Sequence, residues 1–420
     1  MRFIALDVHS GFCEVAIKDE SGLRAAGRVK SSIEELELFA GSLCPDDEVA
    51  MEATGPALAI ARILKPHVGR VVIANTRRLR AIAEAEVKTD KVDASTLCEL
   101  LAAGFLPAVW APDEFTRGLR RRLQRRSKLV RSRTRAKNEC HAVLARNLKG
   151  RPPMTDVFGK KGRQWLAALE LPADESETLE CCLREVDFLD CEVGLIEREL
   201  ARQAMSSQEI RRLMTVPGVS LVSAAAFVAA AGDIHRFSSP KKLVSYVGLD
   251  PRVRQSGEGP ARHGRISKQG SSEARHMLCE AAWVAIRTPG PLRAFYERVR
   301  ARRGAQVALV ATARKLSVLF WHLLTREEDY AFERPSLTRR KLRGLELKAK
   351  DGRRSWPSGH ALSTKQDRAR EVEFAEQVET AYRRLAEDWQ PKPGKSGAGA
   401  TRGRAFSSHL LGEETAARQG

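Results

Sequence analysis

The sequence predicts an α/β N-terminal domain followed by a mainly helical remainder, and three observations carry that prediction. Residues 3–7, 12–18 and 23–29 form three short apolar segments separated by the turn signals His9-Ser10-Gly11 and Asp19-Glu20-Ser21-Gly22, a strand meander. Helical and extended patterns then alternate, as in a layered α/β domain with a mixed sheet. From Ala111 onward helical periodicities dominate, and the charge becomes strongly basic.

After the meander, Ser32-Ile33-Glu34-Glu35 has the pattern of a capped helix start, with apolar Leu36, Leu38, Phe39 and Leu43 behind it. A strand near 48–51 runs into Glu52-Ala53-Thr54-Gly55-Pro56, a helix covers about 57–66, and a strand covers 70–74. Next comes Val87-Lys88-Thr89-Asp90-Lys91-Val92-Asp93-Ala94. Asp90 and Asp93, three apart at a helix start, share one face of its first turn. Aspartate there also serves as an ordinary cap that complements the helix dipole. Asp7 and Glu52 argue for more, because both stand at the carboxyl ends of strands, where sites form in such sheets. Four carboxylates without a His or Cys cluster call for a hard cation, Mg²⁺ or Mn²⁺. In a basic protein that set points to phosphodiester chemistry, with metal stabilising the attacking and leaving oxygens.

A long helix begins at Ala111-Pro112-Asp113-Glu114, Pro and acids first as a helix start requires. Between Arg117 and Lys137 it carries eleven basic residues and no acid: Arg117, Arg120, Arg121, Arg122, Arg125, Arg126, Lys128, Arg131, Arg133, Arg135 and Lys137. Leu119, Leu123, Leu129 and Val130 give it a thin apolar stripe. A solvated face ordinarily mixes signs, so the unrelieved block reads as a surface for the phosphate backbone. Residues 150–170 read as irregular and basic. Leu179, Cys182, Val186, Leu189, Val193, Ile196 and Leu200 then repeat 3-4-3-4-3-4, a coiled-coil seam that favours self-association over a hairpin arm within the chain.

Met214-Thr215-Val216-Pro217-Gly218-Val219-Ser220 before the apolar Leu221–Ala231 resembles half of a helix-hairpin-helix, whose turn presents backbone N–H groups to phosphate. It reads equally as a plain helix connection. Apolar helices are expected near 274–286 and 305–324. From about 331 the composition turns to Lys, Arg, Glu, Gly and Ser, with one amphipathic segment near 366–389, and the tail is expected to be largely disordered.

Composition narrows the function. The 420 residues carry 72 Lys+Arg against 53 Asp+Glu, a net charge of +19 and a pI near 9.9. Such an excess points to a polyanionic partner, nucleic acid first. No stretch of eighteen apolar residues occurs, so no membrane partner is expected. The N-terminus enters a strand pattern directly, which argues against a signal peptide and for a cytosolic protein. Eight scattered cysteines without zinc spacing fit reduced thiols.

Three motifs, Ile4-Ala5-Leu6-Asp7-Val8-His9, Met51-Glu52-Ala53-Thr54-Gly55 and Lys88-Thr89-Asp90-Lys91-Val92-Asp93-Ala94, resemble those of the DEDD transposases of the insertion sequence 110 family. The basic helix with Lys137-Asn138 and Leu144-Ala145-Arg146 resembles it as well. So does the region from Val216-Pro217-Gly218 through Tyr246-Val247-Gly248-Leu249 and Gln255-Ser256-Gly257 to Gly264-Arg265-Ile266-Ser267-Lys268-Gln269-Gly270. The resemblance covers roughly residues 1–325, and related Piv-type DNA invertases share the architecture. The tail and the acid Glu258 after Gly257 depart from the pattern.

The resemblance implies an RNase H-like, RuvC-like domain over 1–150 including the basic helix at 112–148. A linker over 151–206, a C-terminal transposase domain over 207–330 and the tail from 331 would follow. It implies a recombinase that cuts and rejoins donor and target DNA with Asp7, Glu52, Asp90 and Asp93 on Mg²⁺ or Mn²⁺ and Ser256 as nucleophile. Its expected partners are a structured noncoding guide RNA and further copies of itself, as dimer or tetramer. Contacts to nucleic acid are expected from Arg117, Arg120, Arg121, Arg125, Arg126, Lys128, Arg131 and Arg135, and from Arg254, Arg265 and Lys268 beside the serine. Ser267, the rival hydroxyl, reads as a helix cap. The alternatives are a structure-selective nuclease using the carboxylates alone and a non-catalytic nucleic-acid-binding protein.

Overall fold

The computed structural model describes residues 1–75, 89–255, 262–350 and 363–387. Packing divides the chain into two compact units, Met1–Gly118 and Leu119–Gly420.

In the first unit, β1 (Phe3–Val8), β2 (Phe12–Asp19) and β3 (Gly22–Lys30) form the expected meander. They are followed by α1 (Ile33–Gly41), β4 (Glu48–Glu52), α2 (Ala57–Leu64), β5 (Arg70–Ala74) and α3 (Asp90–Ala102). The sheet order is β3-β2-β1-β4-β5, with β1 antiparallel to β2 and parallel to β4. Side chains alternate across it. Ile4, Leu6, Val49 and Met51 pack with Leu36, Ile60 and Leu64 of α1 and α2. Ala5, Ala16 and Ala50 face the other way, against Ala94, Leu97, Cys98 and Leu101 of α3. Three alanines on that face let α3 lie close to the strands. Cys98 Sγ donates to the Phe3 carbonyl 3.2 Å away, which places the C-terminal half of α3 at the start of β1 and its N-terminus toward the end of β1.

The long basic helix is α4 (Glu114–Arg146), and the unit boundary falls within it at Gly118/Leu119 rather than near 150. The reason is packing: from Leu119 onward its apolar stripe belongs to the second unit's core. That unit continues with α5 (Lys160–Ala167), in a stretch expected to be irregular, then α6 (Ala173–Ser206), α7 (Gln208–Met214), α8 (Leu221–Ala231) and α9 (Pro240–Val247). A ribbon of β6 (Pro251–Arg254) and β7 (Arg262–Ile266) leads into α10 (Ser272–Ala285), α11 (Pro291–Arg303) and α12 (Ala305–Arg326). Helix α12 is long and apolar enough to cross a bilayer by length and composition, and one face of it, with Leu316, Phe320 and Leu323, packs into the unit's core.

The heptad seam on α6 is occupied from within the chain. Leu189 and Val193 pack on Leu129 of α4, and Leu179 packs with Cys140, Val143 and Leu144. Ion pairs run in reversed order along the two helices: Arg122 with Glu199 at 3.5 Å, Arg126 with Glu197 at 2.6 Å, Arg133 with Asp190, and Arg146 with Glu175 at 2.6 Å. The seam therefore closes an antiparallel hairpin and no longer argues for self-association. The seven-residue repeat fixes an apolar face without fixing which helix covers it.

The helix-hairpin-helix pattern also resolves to packing. Helices α7 and α8 meet at Pro217-Gly218, but Pro217 is buried, and a Cβ on Gly218, at φ 85°, would lie 2.5 Å from the Ala281 carbonyl. The turn supports α10 rather than presenting itself to phosphate.

In the tail, α14 (Lys365–Glu387) falls on the amphipathic segment expected near 366–389, while α13 (Pro335–Ala349) is a helix the composition did not announce; residues 351–362 and 388–420 lie outside the described residues. Lys341 donates to the Met214 and Val216 carbonyls, each at 2.7 Å, and Leu345 joins the core. Glu379 on α14 accepts from the Gly290 N–H at 2.9 Å and Arg293 at 2.7 Å. Polar side chains, not a long apolar stripe, dock this segment, which is why composition reads as disorder.

Candidate active site

The carboxylates are placed by the sheet and by α3. Asp7 follows Phe3 and Ala5 on the α3 face of β1, and Glu52 follows Ala50 on the same face of β4. Leu6 pairs with Met51, so Asp7 and Glu52 stand at neighbouring strand ends. Thr89, not an aspartate, caps α3: its hydroxyl accepts from the Val92 N–H at 3.3 Å. Capping therefore does not account for Asp90 and Asp93 in the first turn, which α3 carries to the end of β1.

His9 joins them. Its Nε2 lies 3.1 Å from Asp7 Oδ2 and 3.4 Å from Asp90 Oδ1. Asp7, His9 and Asp90 are the one group of three or more His, Cys, Asp or Glu among the described residues whose ligand atoms all lie within 4.8 Å of one another. Glu52 and Asp93 are outside that tight group. The Asp7 carboxyl is pushed above the ordinary aspartate range, first by burial and further by the charges of Asp93 and Asp90, while His9 pulls it down. Removing a carboxylate from water among other acids is unfavourable without a cation, and a divalent ion relieves that strain. Two carboxylates and an imidazole at this spacing fit such an ion. Reading only carboxylates from the sequence missed His9. The signal was available in Asp7-Val8-His9, where a histidine follows a strand-end acid by two residues.

Ser256, with Gly257 and Glu258, lies outside the described residues, but both strands that lead to it are described. Arg254 pairs with Arg262 across the ribbon, and Arg252, Arg254, Arg262 and Arg265 are all exposed. The base of the ribbon is held firmly. The Ser267 hydroxyl donates to Asp250 at 2.8 Å, the Lys268 N–H donates to the Gly248 carbonyl at 3.1 Å, and Arg275 donates to the Val247 carbonyl at 2.9 Å. A Cβ on Gly248, at φ 78°, would fall 2.2 Å from the Gln269 carbonyl, so glycine is required there. Ser267 does not cap α10: that role is Ser271's, which accepts from the Ala274 N–H. Lys268 is exposed.

The basic helix divides by face. Arg126 is tied to Glu197 on α6, Arg117 pairs with Glu114, and Arg120 donates to the Ala229 and Ala230 carbonyls at 2.6 and 3.1 Å, closing the C-terminal end of α8. These three serve the fold. Arg121, Arg125, Lys128, Arg131 and Arg135 are exposed, and their spacing keeps them on the side away from the apolar seam.

Residues 4–147 match the family model of the DEDD transposases of the IS110 group, and residues 210–297 match the model of the IS116/IS110/IS902 transposase family. A probable family 20 transposase of Pseudomonas aeruginosa is 30% identical over 300 residues, 67% of this chain and 85% of that protein. The transposase for insertion sequence element IS1111A of Coxiella burnetii is 29% identical over 58% of this chain and 68% of its own length. The transposase for insertion sequence element IS1328 of Yersinia enterocolitica is 25% identical over 77% of this chain and 97% of its own.

Proposed function

Because this chain belongs to the IS116/IS110/IS902 family of insertion-element transposases, we propose that it cuts and rejoins DNA strands with its carboxylates and Ser256 in separate roles. Asp7, Glu52, Asp90 and Asp93 hold a divalent cation on an RNase H-like sheet. The observation that carries this is the convergence of Asp7 and Asp90 from different elements at one strand end, with ligand atoms within 4.8 Å of a shared neighbour. The meander followed by alternating helix and strand supports the RNase H-like assignment. When bound, the cation supplies charge to a phosphate and lowers the barrier for its displacement.

Ser256 is the nucleophile in this reading. Its Oγ gives up a proton and bonds to phosphorus, the bond from phosphorus to a sugar oxygen breaks, and that oxygen takes up a proton as it leaves. The phosphoserine keeps the energy of the diester, so a hydroxyl of another strand reverses the step and restores the serine. Arg252, Arg254, Arg262 and Arg265 on the flanking strands offer charge to the phosphate as it passes through its more negative transition state. The exposed face of α4 tracks phosphate backbones. A structured RNA that pairs with the DNA would supply sequence recognition, which fits a basic surface built from arginines rather than from a base-reading module.

The test is excision and joining of a plasmid-borne element by the Asp90→Ala and Ser256→Ala variants. Each is expected to lose more than about a hundredfold in rate. Metal-dependent cutting that survives Ser256→Ala would remove the serine role and leave a nuclease that uses carboxylates alone. Salt-sensitive binding without cutting by the unaltered protein, with Mg²⁺ or Mn²⁺ present, would leave a binding protein.

A further inference from the structure

We infer that His9 is a ligand of the cation held by Asp7 and Asp90, and that its nitrogen makes the site prefer Mn²⁺ to Mg²⁺; this rests on the cation reading above. Two ligand atoms bound about 2.1 Å from one ion, at angles between a right angle and the tetrahedral angle, lie roughly 3.0 to 3.4 Å apart. His9 Nε2 is 3.1 Å from Asp7 Oδ2 and 3.4 Å from Asp90 Oδ1. Those are the separations of neighbouring ligands around one centre.

The ring is held where it is. The His9 N–H donates to the Phe12 carbonyl at 2.9 Å, and its own carbonyl accepts from Ser31 Oγ at 3.0 Å, which fixes the turn between β1 and β2. The imidazole packs against the Phe12 ring at 5.0 Å between centroids. The Arg28 guanidinium lies 4.2 Å over that same Phe12 ring and is bonded to Glu14 at 2.7 Å. Glu14 is 1% exposed, so this chain of contacts ends in the core rather than in water. Backbone bonds and ring packing together restrict the directions the imidazole can take and keep Nε2 beside Asp7 and Asp90. The three side chains also come from two elements separated in sequence, which a local turn contact would not require.

The chemistry then discriminates. Mg²⁺ takes oxygen ligands and gives up its waters reluctantly. Replacing one oxygen by an imidazole nitrogen disfavours it relative to a first-row transition ion, and Mn²⁺ is the one that also accepts a mainly carboxylate shell.

The competing role for His9 is a counter-charge that neutralises Asp7 and Asp90 and gives way when an ion arrives. Titrating Mn²⁺ into the full-length protein, followed by the paramagnetic resonance of free Mn²⁺, separates the two. As a ligand, His9→Ala weakens Mn²⁺ binding about tenfold or more, changes Mg²⁺ competition by less than about threefold, and removes an imidazole-nitrogen coupling from the bound Mn²⁺ spectrum. As a counter-charge, His9→Ala leaves Mn²⁺ binding unchanged or tighter, and that result overturns the inference. The unaltered protein gives an answer independent of any folding defect in the variant: bound Mn²⁺ without nitrogen coupling also overturns it. Asp7→Asn is the control for the underlying reading. If it leaves Mn²⁺ binding intact, the cation site itself is misplaced; if it abolishes binding while His9→Ala does not, only the role of His9 fails.

Discussion

Asp47 shows how a single side chain sets up the site without taking part in it. Its carboxylate accepts from the Arg2 N–H at 3.2 Å, from Arg2 Nε and Nη2 at 3.1 and 2.5 Å, and from the Cys44 N–H at 2.8 Å. These bonds tie the start of β1 to the loop before β4, the two strands whose far ends carry Asp7 and Glu52. Burial alone would raise the Asp47 carboxyl, but the bonds from Arg2 and Cys44 outweigh it and hold it below the ordinary range. Asp47→Ala is expected to destabilise the first unit by about 1–3 kcal/mol, because Arg2 loses its carboxylate partner and the Cys44 N–H loses its acceptor. A depressed carboxyl contributes stability above the unfolded value of about 3.9 and loses it as pH falls through the folded value. The gap between the parent and Asp47→Ala in denaturant unfolding should therefore be full at neutral pH and close in acid. A gap that does not change between neutral pH and pH 3 contradicts this account. Asp7 is the contrast: burial raises its carboxyl and the charges of Asp93 and Asp90 add to the effect, so the charged form is favoured at Asp47 and disfavoured at Asp7.

At the scale of elements, sequence pattern was most informative where local periodicity decides the outcome. The three strands of the meander and the placement of Asp7 and Glu52 at strand ends follow from alternation and turn residues alone. The heptad on α6 was equally visible, but its partner was not, since a repeat specifies an apolar face and leaves its cover open. The reversed match of Glu199, Glu197, Asp190 and Glu175 to Arg122, Arg126, Arg133 and Arg146 settles the cover. It also divides the basic helix in a way that charge counting could not. Replacing Arg125, Lys128 and Arg135 together by alanine should reduce the slope of log affinity against log salt by roughly 3 while thermal unfolding stays near the parent value. Arg126→Ala should do the reverse: binding changes little, and stability falls by about 1–3 kcal/mol as Glu197 loses a hydrogen-bonded partner. Equal loss of nucleic-acid affinity in both variants would show that the two faces are not distinct.

At the scale of the whole molecule, the docking of α13 and α14 was the least legible part, because its polar contacts are made one side chain at a time. Lys341 is the anchor of α13. Its ammonium reaches the Met214 and Val216 carbonyls at the end of α7, the segment that also carries the buried Pro217-Gly218 turn. Burial pulls its pKa from the ordinary 10.5 down to about 8, with the nearby Arg340 adding to the effect. The sign follows from proton counts. Below about 8 both folded and unfolded chains carry the proton, and the fold bears the full penalty of a buried charge. Between about 8 and 10.5 the unfolded chain holds more protons than the folded one, so this residue's contribution to stability rises with pH. Other groups titrate in the same range, so the quantity to measure is the difference in unfolding free energy between the parent and Lys341→Met. The loss of two hydrogen bonds in the variant shifts that difference by a constant and leaves its slope intact. It should grow in the parent's favour from pH 8 to 10 and be flat from pH 6 to 7.5. A difference flat over the whole range would mean that Lys341 keeps its charge with water close by, and that α13 is held to α7 more loosely than its two carbonyl contacts imply.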